Sequence, residues 1–204
     1  MYWLIMREDF KCVYEKAEEL LKNIRYEKGK MVSTSKIIDE VEKVTKTDVK
    51  FKEFNFSEIE DEKGKKGVFK DCGAAMYVSP GLGKERGEAR ILLNDRESPK
   101  MQRFSLIHEL GHLLLEGQNS VDGYLFSTHI HMRLTSIPKK EYESDDFLKK
   151  EQMANVFALL VLMPEDSFAY AIKEYDSFDD IGHMFGVTKD AVISRLMLGI
   201  GWEA

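Results

Sequence analysis

The sequence predicts an α+β fold: a small mixed or antiparallel sheet, a set of packed helices and a C-terminal helix-turn-helix-like segment. Three observations lead there. Apolar residues recur at helical spacing in several separated stretches. Between two of them, short alternating runs are punctuated by Pro and Gly. A length of 204 residues with 43% hydrophobic and 32% charged side chains suits a single domain, residues 1–204, around one core.

Phe10, Val13, Tyr14, Ala17, Leu20, Leu21 and Ile24 share one face among charged residues, which predicts an amphipathic helix over about 7–25. A second helix, over about 34–44, starts at a cap formed by Ser33 or Thr34 and gathers Ile37, Ile38, Val41 and Val44 on one side. Val49, Phe51, Phe54 and Phe56 introduce strand-like spacing, and 58–67 is charged enough to read as an exposed loop. Strands are expected over 73–78 and 89–94, joined as a hairpin through Ser79-Pro80-Gly81-Leu82-Gly83. Ser98 as N-cap and Pro99 as first helical residue open a helix carrying Phe104, Ile107, Leu110 and Leu114, with Gly117 placed to end it. After a polar loop, Ser144-Asp145-Asp146 begins a further helix whose apolar spacing runs to Pro164. Residues 181–185, a turn at Gly186, and 188–198 complete the helix-turn-helix pattern.

Composition narrows the partners. A net charge of −6 argues against phosphate neutralisation as a main binding mode, which needs clustered Lys and Arg. Cys12 and Cys72 form no CxxC pair and no disulfide framework, so a reducing compartment is expected. The apolar run Met1 to Met6 is too short for a signal h-region or a membrane span. The expected location is the cytoplasm, with no membrane partner.

Within the helix opened by Ser98, the residues His108-Glu109-Leu110-Gly111-His112 match HExxH. Positions four apart share a helix face, so both imidazoles can converge on one divalent ion while Glu109 projects beside them toward an attacking water. The expected cofactor is Zn2+, with Mn2+ or another divalent metal also compatible. Two histidines flanking an acid among apolar neighbours are costly without such a partner. A third ligand is needed. The metzincin extension fails, because Leu115 and Gln118 stand where Gly and His are required. Asp122 is one candidate, outside any helical pattern. Glu151 is another, on a helix that fixes its carboxylate, with Asn155 four residues on along the same face and small Ala154 and Ala158 allowing close approach. Spacing alone also permits Glu151 to be an exposed acid beside Lys149 and Lys150.

The segment Arg103-Phe104-Ser105-Leu106-Ile107-His108-Glu109-Leu110-Gly111-His112-Leu113-Leu114-Leu115 resembles the RFTLAHELGHLLL-like segment of the ImmA/IrrE family of metallopeptidases. Glu151-Gln152-Met153-Ala154-Asn155-Val156-Phe157-Ala158 with Leu162-Met163-Pro164 resembles that family's E-x-x-A-N-x-F-A and LMP block, and 178–198 is similar to its closing helix-turn-helix-like segment. The resemblance covers about residues 73–200. It implies a zincin-like, more narrowly gluzincin-like, fold. It implies His108, His112 and Glu151 as metal ligands, Glu109 as catalytic acid/base, and a metallo-endopeptidase. It further implies a protein substrate, a helix-turn-helix transcriptional repressor, and hence an anti-repressor role. The alternative is a non-catalytic regulator that binds a repressor or DNA while the metal only stabilises the fold. Departures are Val161 and a longer insert, rich in charged residues, between the two blocks, and both bear on substrate choice. On this reading, N-terminal helices and a strand occupy 1–70, the catalytic core 73–170 and the tail 175–200.

Candidates for stabilising the tetrahedral oxyanion are Tyr124, His129, His131, Tyr142 and Tyr170. Alternation around His129 and His131 equally suits an ordinary strand face or exposed loop. An extended substrate is expected to add a strand beside 75–78 or 89–93. In the tail, Lys189 and Arg195 are the cations available to DNA, but Asp179, Asp180 and Asp190 accompany them, so packing or partner docking is preferred over DNA contact.

Overall fold

The computed structural model describes residues 10–58, 66, 72–79, 81, 86–116, 124–128 and 145–200, with the backbone alone at 124–128, 145, 199 and 200. Elements run α1 (Lys11–Ile24), α2 (Thr34–Thr45), β1 (Thr47–Phe54), a 3-10 turn (Phe56–Glu58), β2 (Cys72–Ser79), β3 (Gly87–Asn94), α3 (Pro99–Glu116), β4 (Tyr124–Thr128), α4 (Asp145–Leu162), α5 (Glu165–Glu174), α6 (Phe178–Phe185) and α7 (Lys189–Ile200).

The N-terminal helices follow their apolar spacing. α1 buries Val13, Ala17, Leu20, Leu21 and Ile24 and stops at Arg25, whose φ of 49° is left-handed. Ser33 caps α2 by accepting from the Lys36 amide, and Ile37 and Val41 are buried. α1 packs against α4 and α2 against α3. Residues 10–45 thus help build the main core.

The sheet has strand order β1-β3-β2-β4 and is mixed. β1 runs parallel to β3, from Thr47 beside Gly87 to Phe54 beside Asn94. β2 and β3 pair antiparallel as the expected hairpin, and β4 pairs antiparallel with β2. This order corrects the expected place for an added substrate strand. Residues 75–78 and 89–93 lie in β2 and β3, which already pair on both sides, so neither offers a free row of amides and carbonyls. The outer strands among the described residues are β1 and β4.

Two elements depart from the sequence reading. β4 falls inside the stretch that reads as a polar loop in the sequence, because only Leu125 and Phe126, opposite Met76 and Ala75, carry its apolar signal. α5 was hidden by Pro164, which ends α4 but also starts the next helix, with Glu165 and Asp166 in its first turn.

One hydrophobic cluster holds the helices to the inner face of the sheet, from Val13 and Ile37 through Met76, Ile91, Ile107 and Phe157 to Phe185 and Val192. Phe56, Cys72 and Ala75 form a smaller one with Phe54 and Leu92. Every residue from Phe104 to Leu113 is buried, so α3 is a central helix with no wet face at its middle. α4 is equally apolar over 156–162 because it is covered by protein. Among the described residues no single helix is long and apolar enough to cross a membrane.

The tail folds as two helices about a tight turn. Ser177 caps α6, Gly186 takes φ 65°, and a Cβ at Gly182 would stand 2.8 Å from the Val187 carbonyl oxygen. Arg195 is not the surface cation the sequence offered to DNA. It is 1% exposed, donates from Nε to the Met163 carbonyl at 3.1 Å, pairs with Glu165 and lies 5.0 Å from the Phe168 ring centroid. A guanidinium needs this many partners to be buried, and here they hold α7 to the turn between α4 and α5. Lys189 stays exposed, 3.8 Å from Asp179.

Candidate metal centre

The site forms where α3 crosses α4. Close approach depends on Gly111, since a Cβ there would sit 3.0 Å from Phe157 Cδ1 and 3.4 Å from Ala154 Cα. Phe157 and Ala154 are fully buried and cannot give way. We expect Gly111→Ala to destabilise the metal-free chain by about 1–2 kcal/mol, overpacking outweighing the gain in helix propensity, as read from denaturant unfolding. An equal or higher midpoint would show that the helices have room.

Across this contact three buried side chains converge: His108, His112 and Glu151, with one donor atom from each within 4.8 Å of the others. His108 Nε2 and His112 Nε2 are 3.1 Å apart; Glu151 Oε1 is 3.1 Å from His112 Nε2, and Oε2 is 3.4 Å from His108 Nε2. Donors at about 2.0–2.2 Å from a tetrahedral ion stand about 3.3–3.6 Å apart; the two imidazoles, and the carboxylate oxygen nearest each of them, Oε1 for His112 and Oε2 for His108, come within a few tenths of an ångström of that spacing. The far ring nitrogens are also engaged. His108 Nδ1 lies 2.9 Å from Asn155 Oδ1 and His112 Nδ1 lies 2.5 Å from Glu116 Oε1. With both Nδ1–H groups donating outward, it is the two Nε2 atoms that face inward, and once they give up any proton their lone pairs are available to a cation.

Electrostatics agree. Burial works against the His112 imidazolium, but hydrogen bonds to Glu116 and Glu151 and the charge of Glu109 outweigh it and lift the metal-free pKa to about 10. Burial opposes the Glu151 carboxylate too, yet its bonds to His108 and His112 bring it down to about 2. An arriving ion therefore displaces a proton from His112. Glu109 is 0% exposed, one residue beyond His108, and its charge also acts on the Cys72 thiol at the start of β2. Burial, with Glu109 and Glu151 adding to it, pushes that thiol up to about 12, so Cys72 remains protonated.

Glu151 is 2% exposed, which excludes the reading of it as a solvated acid beside Lys149 and Lys150. Asp122, His129, His131 and Tyr142 lie outside the described residues, as does the Tyr124 side chain. Tyr170 is an exposed residue whose ring lies beside Gly29 in the loop between α1 and α2. The sequence reading missed Glu116. Its signal was the spacing 108, 112, 116, which puts all three on one helix face.

No curated protein matches the chain. The family model of the IrrE N-terminal-like domain, peptidase family M78, matches residues 68–197. This span contains β2, β3, the HExxH helix, Glu151 and the tail as far as α7. It begins after α1, α2 and β1, which the fold nevertheless builds into the same core. With a buried His-His-Glu group that could hold a metal ion inside the matched residues, the chain belongs to the IrrE N-terminal-like family of metallopeptidases.

Proposed function

We propose that this protein is a zinc-dependent endopeptidase acting in the cytoplasm on a helix-turn-helix transcriptional repressor, with His108, His112 and Glu151 holding the ion. The observation that carries this reading is the convergence of three buried donor residues, with the two Nε2 atoms 3.1 Å apart and each facing an oxygen of the Glu151 carboxylate at 3.1–3.4 Å. Zn2+ bound there would supply Lewis acidity, polarising the scissile carbonyl and making a water acidic near neutral pH. The chain's own residues supply the rest. Glu109 accepts a proton from the attacking water and passes it to the departing amine. Asn155 and Glu116 hold the imidazoles with their Nε2 atoms turned toward each other and toward Glu151. An extended substrate segment would add at an outer strand, β1 or β4. The repressor as substrate rests on the resemblance of the sequence blocks, and the longer insert between them is where its choice would be made.

The test is metal content measured together with cleavage. The purified chain should carry about one zinc ion, and a helix-turn-helix repressor encoded beside it should yield discrete fragments that a chelator abolishes. Metal uptake with an uncut but tightly bound repressor would replace the peptidase with a binding regulator.

A further inference from the structure

Glu116 belongs to neither sequence block that identifies the family, yet it grips the one ring nitrogen of His112 that faces away from the other donors. Its Oε1 is 2.5 Å from His112 Nδ1, and its side chain is only 10% exposed. An ordinary surface pair at the same i,i+4 spacing looks different: Lys11 and Glu15 are 76% and 66% exposed and 3.9 Å apart. The second oxygen of Glu116 is also placed, 3.5 Å from Lys150 Nζ, and Lys150 is 3.1 Å from Asp146. Lys150 immediately precedes Glu151 on α4. The last residue of α3 is thereby tied to the turn of α4 that presents the third donor.

We infer that Glu116 is a positioning residue for the metal centre. By accepting the Nδ1 proton of His112 it fixes the tautomer whose Nε2 lone pair meets His108 and Glu151, and through Lys150 it holds the two donor helices in register. This rests on the donor set proposed above. The two histidines are supported unequally: His108 faces the neutral amide of Asn155, whereas His112 faces a carboxylate. A carboxylate partner makes an imidazole the more basic ligand, so His112 is the stronger of the pair.

The experiment measures zinc affinity of the full-length chain by competition with a chelator, alongside unfolding of the metal-free protein. Glu116→Ala should weaken zinc binding by about ten- to a hundredfold. Glu116→Gln should recover most of that loss, because its amide oxygen can still accept from Nδ1–H. A purely structural ion pair would move the unfolding midpoint without producing this difference between Ala and Gln. A second measurement needs no variant: long-range proton–nitrogen correlations of the 15N-histidine-labelled, zinc-loaded wild type should show His112 protonated at Nδ1. Zinc affinity unchanged in Glu116→Ala but lost in His112→Ala would overturn this inference and leave the donor set standing. A Gln variant no tighter than Ala, or a proton on His112 Nε2, would overturn it equally. A wild-type chain that takes up no zinc would remove the donor set itself, and this inference with it.

Discussion

Glu109→Gln is expected to leave the fold and the bound metal intact while slowing cleavage by about a hundred- to ten-thousandfold. The substitution is nearly isosteric, and Glu109 is the one HExxH residue assigned chemistry in place of coordination. Gln cannot accept a proton from the attacking water, so only general-base catalysis is removed. The position tolerates the change, because neutralising a fully buried carboxylate lowers the burden of burying charge beside Glu151. A timed digestion of the repressor, with metal content and unfolding measured on the same samples, reads all three quantities. Cleavage within tenfold of wild type would exclude Glu109 as the base. Relief of repression in cells by Glu109→Gln as strong as by wild type would mean that the protein acts by binding.

Much of the centre was legible because its chemistry is local. HExxH needs only helical periodicity to bring two imidazoles together, and that periodicity is plain around Phe104, Ile107 and Leu110. Glu151 was harder. It lies a long way along the chain from His112, and nothing in spacing says which buried acid completes a site. The small residues Ala154 and Ala158 were the physical hint, and in the structure Ala154 meets Gly111 where the helix carrying Glu151 crosses the helix carrying the two histidines. Pairing order in the sheet could not be read. Alternation reveals that Ala75, Tyr77 and Leu92 belong to strands but not that β1 runs parallel to β3, since pairing joins strands far apart in the chain and leaves no local pattern. Arg195 misled for a related reason. A cation on the second helix of a helix-turn-helix pattern looks like a phosphate contact until the Met163 carbonyl and Glu165, some thirty residues earlier, arrive beneath it.

Glu151→Ala should strip most of the metal, whereas Asp122→Ala should keep it. Structural zinc sites with four protein donors are worth on the order of 10–16 kcal/mol near neutral pH, about 2.5–4 kcal/mol per donor, so loss of Glu151 costs roughly a hundred- to a thousandfold in affinity. A chelator competition resolves that easily. The metal-free chain supplies an independent check, because Glu151 also holds the protonated His112. A carboxylate lowered from 4.5 to about 2 contributes stability above pH 4.5 that is lost as pH falls toward 2. An imidazole raised from 6.5 to about 10 contributes stability below pH 6.5 that is lost as pH rises through 10. Both contributions are complete only between about pH 4.5 and 6.5, so the stability difference between wild type and Glu151→Ala should be widest there and narrow on either side. A gap that does not vary with pH would mean that Glu151 stabilises the chain by packing alone. Metal lost from Asp122→Ala but retained by Glu151→Ala would move the third donor to the segment between α3 and β4, and the triangle at the helix crossing would no longer describe the site.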